Sequence, residues 1–256
     1  MKIATWNVNS IRVRLPQVQE WLKKNNPDVL CLQETKITDE EFPVALLRDA
    51  GYHAAYAGQK TYNGVATLSR TPAADVVGTL PGASGDQKRL LAATVSGVRV
   101  INVYVPNGEA VESEKYSYKL SWLEALEKFM VQEMKIHPRL VLLGDYNIAP
   151  EERDVHDPQR WEGHVLFSDP ERAAFRRLTQ LGMTDVFRRF DQPEKSFSWW
   201  DYRAGGFQRN HGLRIDHILC SAALAAECSG CHIDIEPRKH ERPSDHAPVI
   251  AEFHVS

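Results

Sequence analysis

Apolar, β-branched runs in this chain repeatedly end on a carboxylate or an amide. KIATWN stops at Asn7, VLCLQE at Glu34, and LVLLGDYN at Asp145 and Asn147. LRIDHIL encloses Asp216 between aliphatic neighbours, and SDHAPV sets Asp245 and His246 immediately before a final strand-like run. A lone buried carboxylate costs several kcal/mol unless it is paired or bound to a metal. A fold that accepts this pattern must therefore gather the strand ends where they compensate one another. Layered α/β sheets do so, because strand ends on one edge form the crevice in which sites are built.

The rest of the chain agrees with mixed α/β structure. The pattern of Leu15, Val18 and Leu22 predicts a helix of about three turns opened by Pro16 and ended by Asn25-Asn26-Pro27. Trp122, Leu123, Leu126, Phe129 and Met130 recur at helical spacing between residues 115 and 136, ahead of the RLVLLGDYN strand. DPERAAFRRLTQLG reads as a helix with Asp169 as N-cap, Pro170 in its first turn and Gly182 as terminator. In LAATVSGVRVINVYV, Ser96-Gly97 divides two alternating runs as a hairpin turn. Helix-linked crossovers and hairpins in one chain predict mixed sheets, and no polar linker or repeat divides residues 1–256, so one domain is expected.

Composition narrows the function classes. No run approaches the roughly 18 apolar residues of a membrane span, so no membrane partner is expected. The N-terminal MKIATWNVNSIRVR lacks an export signal, which predicts a cytoplasmic protein, and beginning on the first strand predicts no long N-terminal extension. With a formal charge of −3, a polyanionic partner must be held by a local basic patch. Cys228, Cys231 and His232 spell the C-x-x-C-H of haem attachment, but that chemistry belongs to exported chains, and we read the thiols as structural.

Clustered Asp, Glu and Asn oxygens are hard donors, suited to Mg²⁺ or Mn²⁺ rather than zinc. With a histidine alongside, they suggest phosphoester hydrolysis: a metal polarises the phosphate, a carboxylate activates water and an imidazole stabilises the transition state. Residue types alone leave other readings open. Asn7 could cap a turn, Asp145 could cap a helix, His246 could bond a loop carbonyl, and the whole could be a metal-binding structural protein.

WNVNSIR, LQETK, GQKTYNGVA, VYVPNGE, GDYNIAP, SWWDYR, GLRIDHIL and PSDHAP, in that order, resemble the motifs of exonuclease III-type enzymes of the endonuclease/exonuclease/phosphatase superfamily. The resemblance spans the chain. It implies a four-layer α/β sandwich, two mixed sheets flanked by helices, in a monomer that uses Mg²⁺ on double-stranded DNA with abasic sites or 3′ ends. It further implies Glu34 as principal metal ligand, with Asn7 and Asp245 supporting it and Asp145, Asn147 and His246 close to the ion. Asp145 resembles the residue that activates water, Asn147 the one that positions it, and Asp216 with His246 the acid–imidazole pair. Tyr104 and Asn107 resemble phosphate contacts, and Lys115 matches a more variable one. Trp199, Leu213 and Ile215 match the lining of a pocket for a flipped-out abasic sugar, while Arg203 and Arg209 match backbone contacts that would supply the basic strip.

Overall fold

The computed structural model describes residues 1–254. Its strands are β1 (Lys2–Asn7), β2 (Val29–Gln33), β3 (His53–Ala57), β4 (Val65–Ser69), β5 (Ala74–Val77), β6 (Leu90–Val95), β7 (Val98–Tyr104), β8 (Leu140–Asp145), β9 (Thr184–Asp185), β10 (Trp199–Trp200), β11 (Gly212–Leu213), β12 (Asp216–Cys220), β13 (Cys228–Ile233) and β14 (Val249–Phe253). Its α-helices are α1 (Ile11–Asn25), α2 (Val44–Asp49), α3 (Glu114–Ile136), α4 (Pro158–Trp161), α5 (Asp169–Gln180) and α6 (Ala222–Ala226). One six-stranded sheet runs β13-β14-β1-β2-β4-β3 and the other β5-β6-β7-β8-β12-β9, with β10 and β11 forming a short separate ribbon.

Each large sheet is built around one parallel pair, β1/β2 or β7/β8, and all its other pairings are antiparallel. Parallel neighbours need a crossover, and α1 and α3 supply them. The strand period of two then sorts side chains into layers. Ile3, Val29, Val100, Val141, Leu143, Ile218 and Ala251 fill the space between the sheets. Ala4, Trp6, Leu30 and Leu32 face outward to Val18, Trp21 and Leu22 of α1. Ile101, Val103, Leu140 and Leu142 face Trp122, Leu126 and Met130 of α3 and Phe175 and Leu178 of α5. Helix, sheet, sheet and helix make the four layers that the family resemblance implies.

Local details follow the same physics, with two boundary corrections. Ser96 (φ 48°) and Gly97 (φ 77°) form the β6–β7 turn with both backbones left-handed, as a tight hairpin requires. α5 is capped by Ser168 rather than Asp169, since Ser168 and Glu171 form a reciprocal capping box. α1 starts at Ile11, before Pro16, because Ile11 is fully buried and anchors an earlier turn. Pro16 lies on the exposed face of the helix, as does Arg12, whose carbonyl lacks the N–H that Pro16 cannot supply. Cys228 and Cys231 point their thiols into the inter-sheet core, where burial raises both pKa values, and His232 is exposed.

Candidate active site

Topology brings the polar strand ends to one edge. Asn7 closes β1 and Glu34 follows β2; Tyr104 and Asp145 close the parallel pair β7 and β8. β12 runs antiparallel to β8 with Asp216 opposite Asp145, so its first residue lies where β8 ends. β14 runs antiparallel to β1, which returns Asp245 and His246 to the same edge. Alternation sets Asn7, Tyr104, Asp145 and Asp216 on the inner faces, in line with Ile3, Val100, Leu143 and Ile218. Beneath them a polar bridge ties the sheets. Gln33 Nε2 donates to Thr5 Oγ1 (2.9 Å) and Asn102 Oδ1 (2.7 Å), while Asn102 Nδ2 donates to the Leu32 and Ala66 carbonyls.

Backbone geometry at this edge is costly. Glu34 (φ 52°) and Asn147 (φ 49°) both hold the left-handed conformation, which persists only where surrounding contacts impose it. Gly144 (φ 145°) precedes Asp145, and a Cβ there would lie 1.9 Å from the Val103 carbonyl oxygen. The close approach of β8 to β7 that aims Asp145 inward thus requires glycine.

Asn7 Nδ2 donates to Glu34 Oε1 (3.0 Å) and Asp145 Oδ2 (2.8 Å), holding the two carboxylates together. Lys36 Nζ lies 2.8 Å from Glu34 Oε2 and 2.6 Å from Asn9 Oδ1. Burial pushes the Glu34 pKa up, but Lys36, Asn7 and His246 outweigh it and hold it below the usual value. Asp145 is fully buried, and burial with the nearby Asp216 and Glu34 charges pushes it up to about 7 despite His246 and Asn7. The Asn147 N–H donates to Asp145 Oδ1 (2.9 Å) and orients it.

Behind Asp145 stands the acid–imidazole pair. His246 Nδ1 is 2.9 Å from Asp216 Oδ2, and its Nε2 is 3.7 Å from Asp145 Oδ2. Burial would lower the imidazole pKa, but Asp216, Asp145 and Asp245 override it and raise it to about 10. Asp145, Asp216 and His246 offer ligand atoms within 4.8 Å of one another. We read them as a hydrogen-bonded acid–imidazole pair beside a second acid, Asp145, because Nδ1 already faces Asp216. Ser198 Oγ donates to Asp216 Oδ2 (2.6 Å) and accepts the Ile215 and Asp216 amides (both 3.1 Å), fixing that carboxylate.

The remaining expected residues divide. Asn107 Nδ2 donates to Asn147 Oδ1 (3.1 Å), and Asn147 Nδ2 donates to the Val105 carbonyl (3.0 Å), so both ends of the Asn147 amide are engaged within the protein. Asp245 accepts from Asn9 Nδ2 and Trp199 Nε1, both at 2.9 Å, and His246, Asn9 and Trp199 lower its pKa against the opposing effect of burial. Tyr104 is buried beneath Arg89, whose guanidinium carbon lies 4.6 Å from the ring centre. Burial and Glu34 keep its phenol protonated by raising its pKa far above the ordinary value. A groove of 670 Å³ joins Tyr104 and Asn107 to Arg89, Gln59 and Lys115. Lys115 there pairs with Glu109 (2.9 Å). Leu213 and Ile215 are 0% and 1% exposed, packed with Val155, Leu166 and Phe167, and of the three expected pocket residues Trp199 alone is partly open. Arg203 is 91% exposed, and Arg209 is exposed on the same loop.

Sequence reading missed Asn9, Lys36 and Ser198, although each lies inside a recognised block; their type gave no signal because serine, asparagine and lysine are ordinary in loops. Arg14 was missed too. It joins the Asn9 carbonyl (2.8 Å) to the Pro243 carbonyl (2.9 Å), fastening the two loops that carry Asp245 and Asn7's neighbour.

The charge balance shows what the site fits. Among the described residues, Lys36 and His246 are the only basic groups in ion-pair contact with Glu34, Asp145, Asp216 and Asp245, so acids outnumber bases at contact distance in a buried, oxygen-lined space. Burial, with the Asp216 and Glu34 charges, raises Asp145, and the surrounding acids raise His246 against the opposing effect of burial. A divalent hard cation would balance the surplus acids, and Glu34 with Asp145 are the carboxylates that Asn7 draws together for one.

The sequence profile of the Endonuclease/Exonuclease/phosphatase family matches residues 4–246. Exodeoxyribonuclease III of Haemophilus influenzae is 37% identical over 266 residues, covering 99% of this chain and all of the relative. Among solved structures, the 3′ phosphatase NExo from Neisseria bound to product DNA hairpin superimposes with a TM-score of 0.98 at 52% identity over the full length of both chains. An AP endonuclease from Archaeoglobus fulgidus gives 0.96 at 43% identity, again over both full chains.

Proposed function

The chain belongs to the endonuclease/exonuclease/phosphatase family and is a metal-dependent hydrolase of phosphodiester bonds in DNA, and from that premise we propose that it uses Mg²⁺ to process 3′ ends during repair. The observation that carries the reading is the convergence of Asn7, Glu34 and Asp145 with the Asp216–His246 pair at one sheet edge. In this reading residues 1–256 form one catalytic domain that works as a monomer.

Glu34 and Asp145 would hold the cation, Mg²⁺ in preference to Mn²⁺, and Asn7 keeps the two carboxylates in register. The cation, when bound, polarises a phosphate oxygen and offsets charge on the leaving oxygen. Asp145, aligned by the Asn147 amide, accepts a proton from the attacking water. His246 faces the phosphate as an imidazolium whose charge Asp216 maintains, and it stabilises the additional negative charge of the transition state. Tyr104 contributes a neutral phenol and Asn107 an amide donor, which bind phosphate oxygens without competing for the cation. Asp245 acts through Trp199 and Asn9, holding the loops rather than the ion.

Burial of Leu213 and Ile215 favours 3′ ends over internal abasic sites, since a flipped sugar gains access to them only by displacing packed neighbours. The 52% identity to a 3′ phosphatase supports the same preference. The test is cleavage, with Mg²⁺ and with EDTA, of two labelled duplexes: one with a recessed 3′ end and one with a single internal abasic analogue. Metal-dependent shortening from the 3′ end, faster than internal incision, is expected. Faster incision at the analogue would refute the preference, and cleavage persisting in EDTA would refute the metal site.

A further inference from the structure

Lys119 and Glu171 are both 0% exposed, a burial that ionised side chains reach only when fully paired. Lys119 stands in the second turn of α3, and Glu171 closes the capping box of α5. Their head groups are in direct contact. The other two donors of the ammonium go to main-chain carbonyls, Asn107 at 3.0 Å and Asn147 at 2.6 Å. All three of its protons therefore have acceptors, as an ammonium without water requires. Gly108 makes room for the stem: a Cβ there would lie 3.1 Å from Lys119 Cδ.

Helix packing explains the contact between α3 and α5 but not the other two bonds. Those reach the backbones of the two asparagines whose side chains meet at 3.1 Å at the candidate site. Asn147 also holds a left-handed backbone, which persists only where surrounding contacts impose it, and the Lys119 bond to its carbonyl is one such contact. On the far side Glu171 accepts the Leu166 amide (3.0 Å) and the Ser168 amide (3.0 Å), and Leu166 belongs to the apolar cluster beside Trp199. We infer that Lys119 is a positioning residue: its ammonium, braced by Glu171, fixes the spacing of Asn107 and Asn147 and ties it to the apolar wall carrying Leu166. This inference rests on the proposed role of the asparagine pair in holding phosphate and Asp145.

The test is a double-mutant cycle on the recessed-3′ duplex with Mg²⁺, reading kcat and DNA affinity separately. Lys119→Met is expected to lower kcat about 30-fold and to change DNA affinity by less than about 3-fold, because positioning is realised in the transition state. In an Asn107→Ala background the same substitution is expected to cost less than about 3-fold, since residues acting as a unit are non-additive. Equal fractional losses in both backgrounds would overturn the inference and leave Lys119 a scaffold residue; so would unchanged kcat. Should Lys119→Met give no cooperative melt, Glu171→Gln, which keeps the ammonium and the shape, reads the same cycle with an expected loss of about 5-fold. Asn107→Ala with full turnover would instead overturn the underlying reading of the asparagine pair.

Discussion

Neighbouring residues on β12 lead to opposite protonation chemistry, and that contrast yields a quantitative prediction. Asp216 points into the site and maintains a cationic His246; His217, one residue on, points outward into the layer beneath α5. His217 is fully buried, with Nε2 2.8 Å from the Ile148 carbonyl and Nδ1 without a partner among the described residues. Tyr146 and Phe175 meet its ring edge-on at 5.2 and 4.8 Å. Burial, reinforced by Arg214, lowers its pKa from 6.5 to about 4. Because the folded value lies below the unfolded one, the unfolded chain binds the extra proton first as pH falls. The folded state is therefore favoured fully above about pH 6.5, and that advantage is lost between there and pH 4. The gap corresponds to about 3 kcal/mol in all, of which about 2.5 kcal/mol is lost by pH 4.5. Urea unfolding of the wild type and of His217→Gln at pH 7 and pH 4.5 isolates this contribution, since packing losses in the variant are the same at both pH values. The wild type is expected to lose about 2 to 2.5 kcal/mol more than the variant across that interval. Parallel losses, within about 0.5 kcal/mol, would show that His217 is not held neutral by burial.

Two further outcomes probe the site itself. Glu34→Gln keeps the Asn7 contact but removes one of the two carboxylates proposed to hold the cation; turnover is expected to fall about 10³-fold with DNA affinity retained, and isothermal titration should show weakened Mg²⁺ binding. Unaltered Mg²⁺ affinity would move the metal away from Glu34. Ser198→Ala strips Asp216 of a 2.6 Å hydrogen bond and leaves two buried amides unpaired, so kcat is expected to fall about 10-fold and the melting temperature by several degrees. An unchanged kcat alongside a lower melting temperature would confine Ser198 to folding.

What could be read from the sequence was set by local physics. Alternating runs, the Ser96-Gly97 turn and the long period of α3 are each decided by neighbours within a few residues, and the structure reproduces them. Pro16 is a strong local signal for a helix start, whereas α1 begins at Ile11 because the burial of Ile11 against the outer face of the β1 sheet is decided by tertiary packing. Either Ser168 or Asp169 can fill the cap position locally, and only the reciprocal bond from Glu171 decides for Ser168.

The site divides along the same line. Carboxylates at strand ends are conspicuous in sequence because burying one without compensation is expensive, so Glu34, Asp145 and Asp216 announce themselves. Their supports do not. Lys119 looks like one more lysine on an amphipathic helix, and only the fold shows that it is 0% exposed with every proton accepted. The same holds for Leu213 and Ile215, whose apolar type suits either a pocket wall or a core, and whose near-zero exposure assigns them to the core in this state. A sequence thus exposes those site residues whose burial is costly by themselves. Residues whose cost is cancelled by partners distant in the chain become visible only when the partners are in place, and these are the residues that set the geometry of the rest.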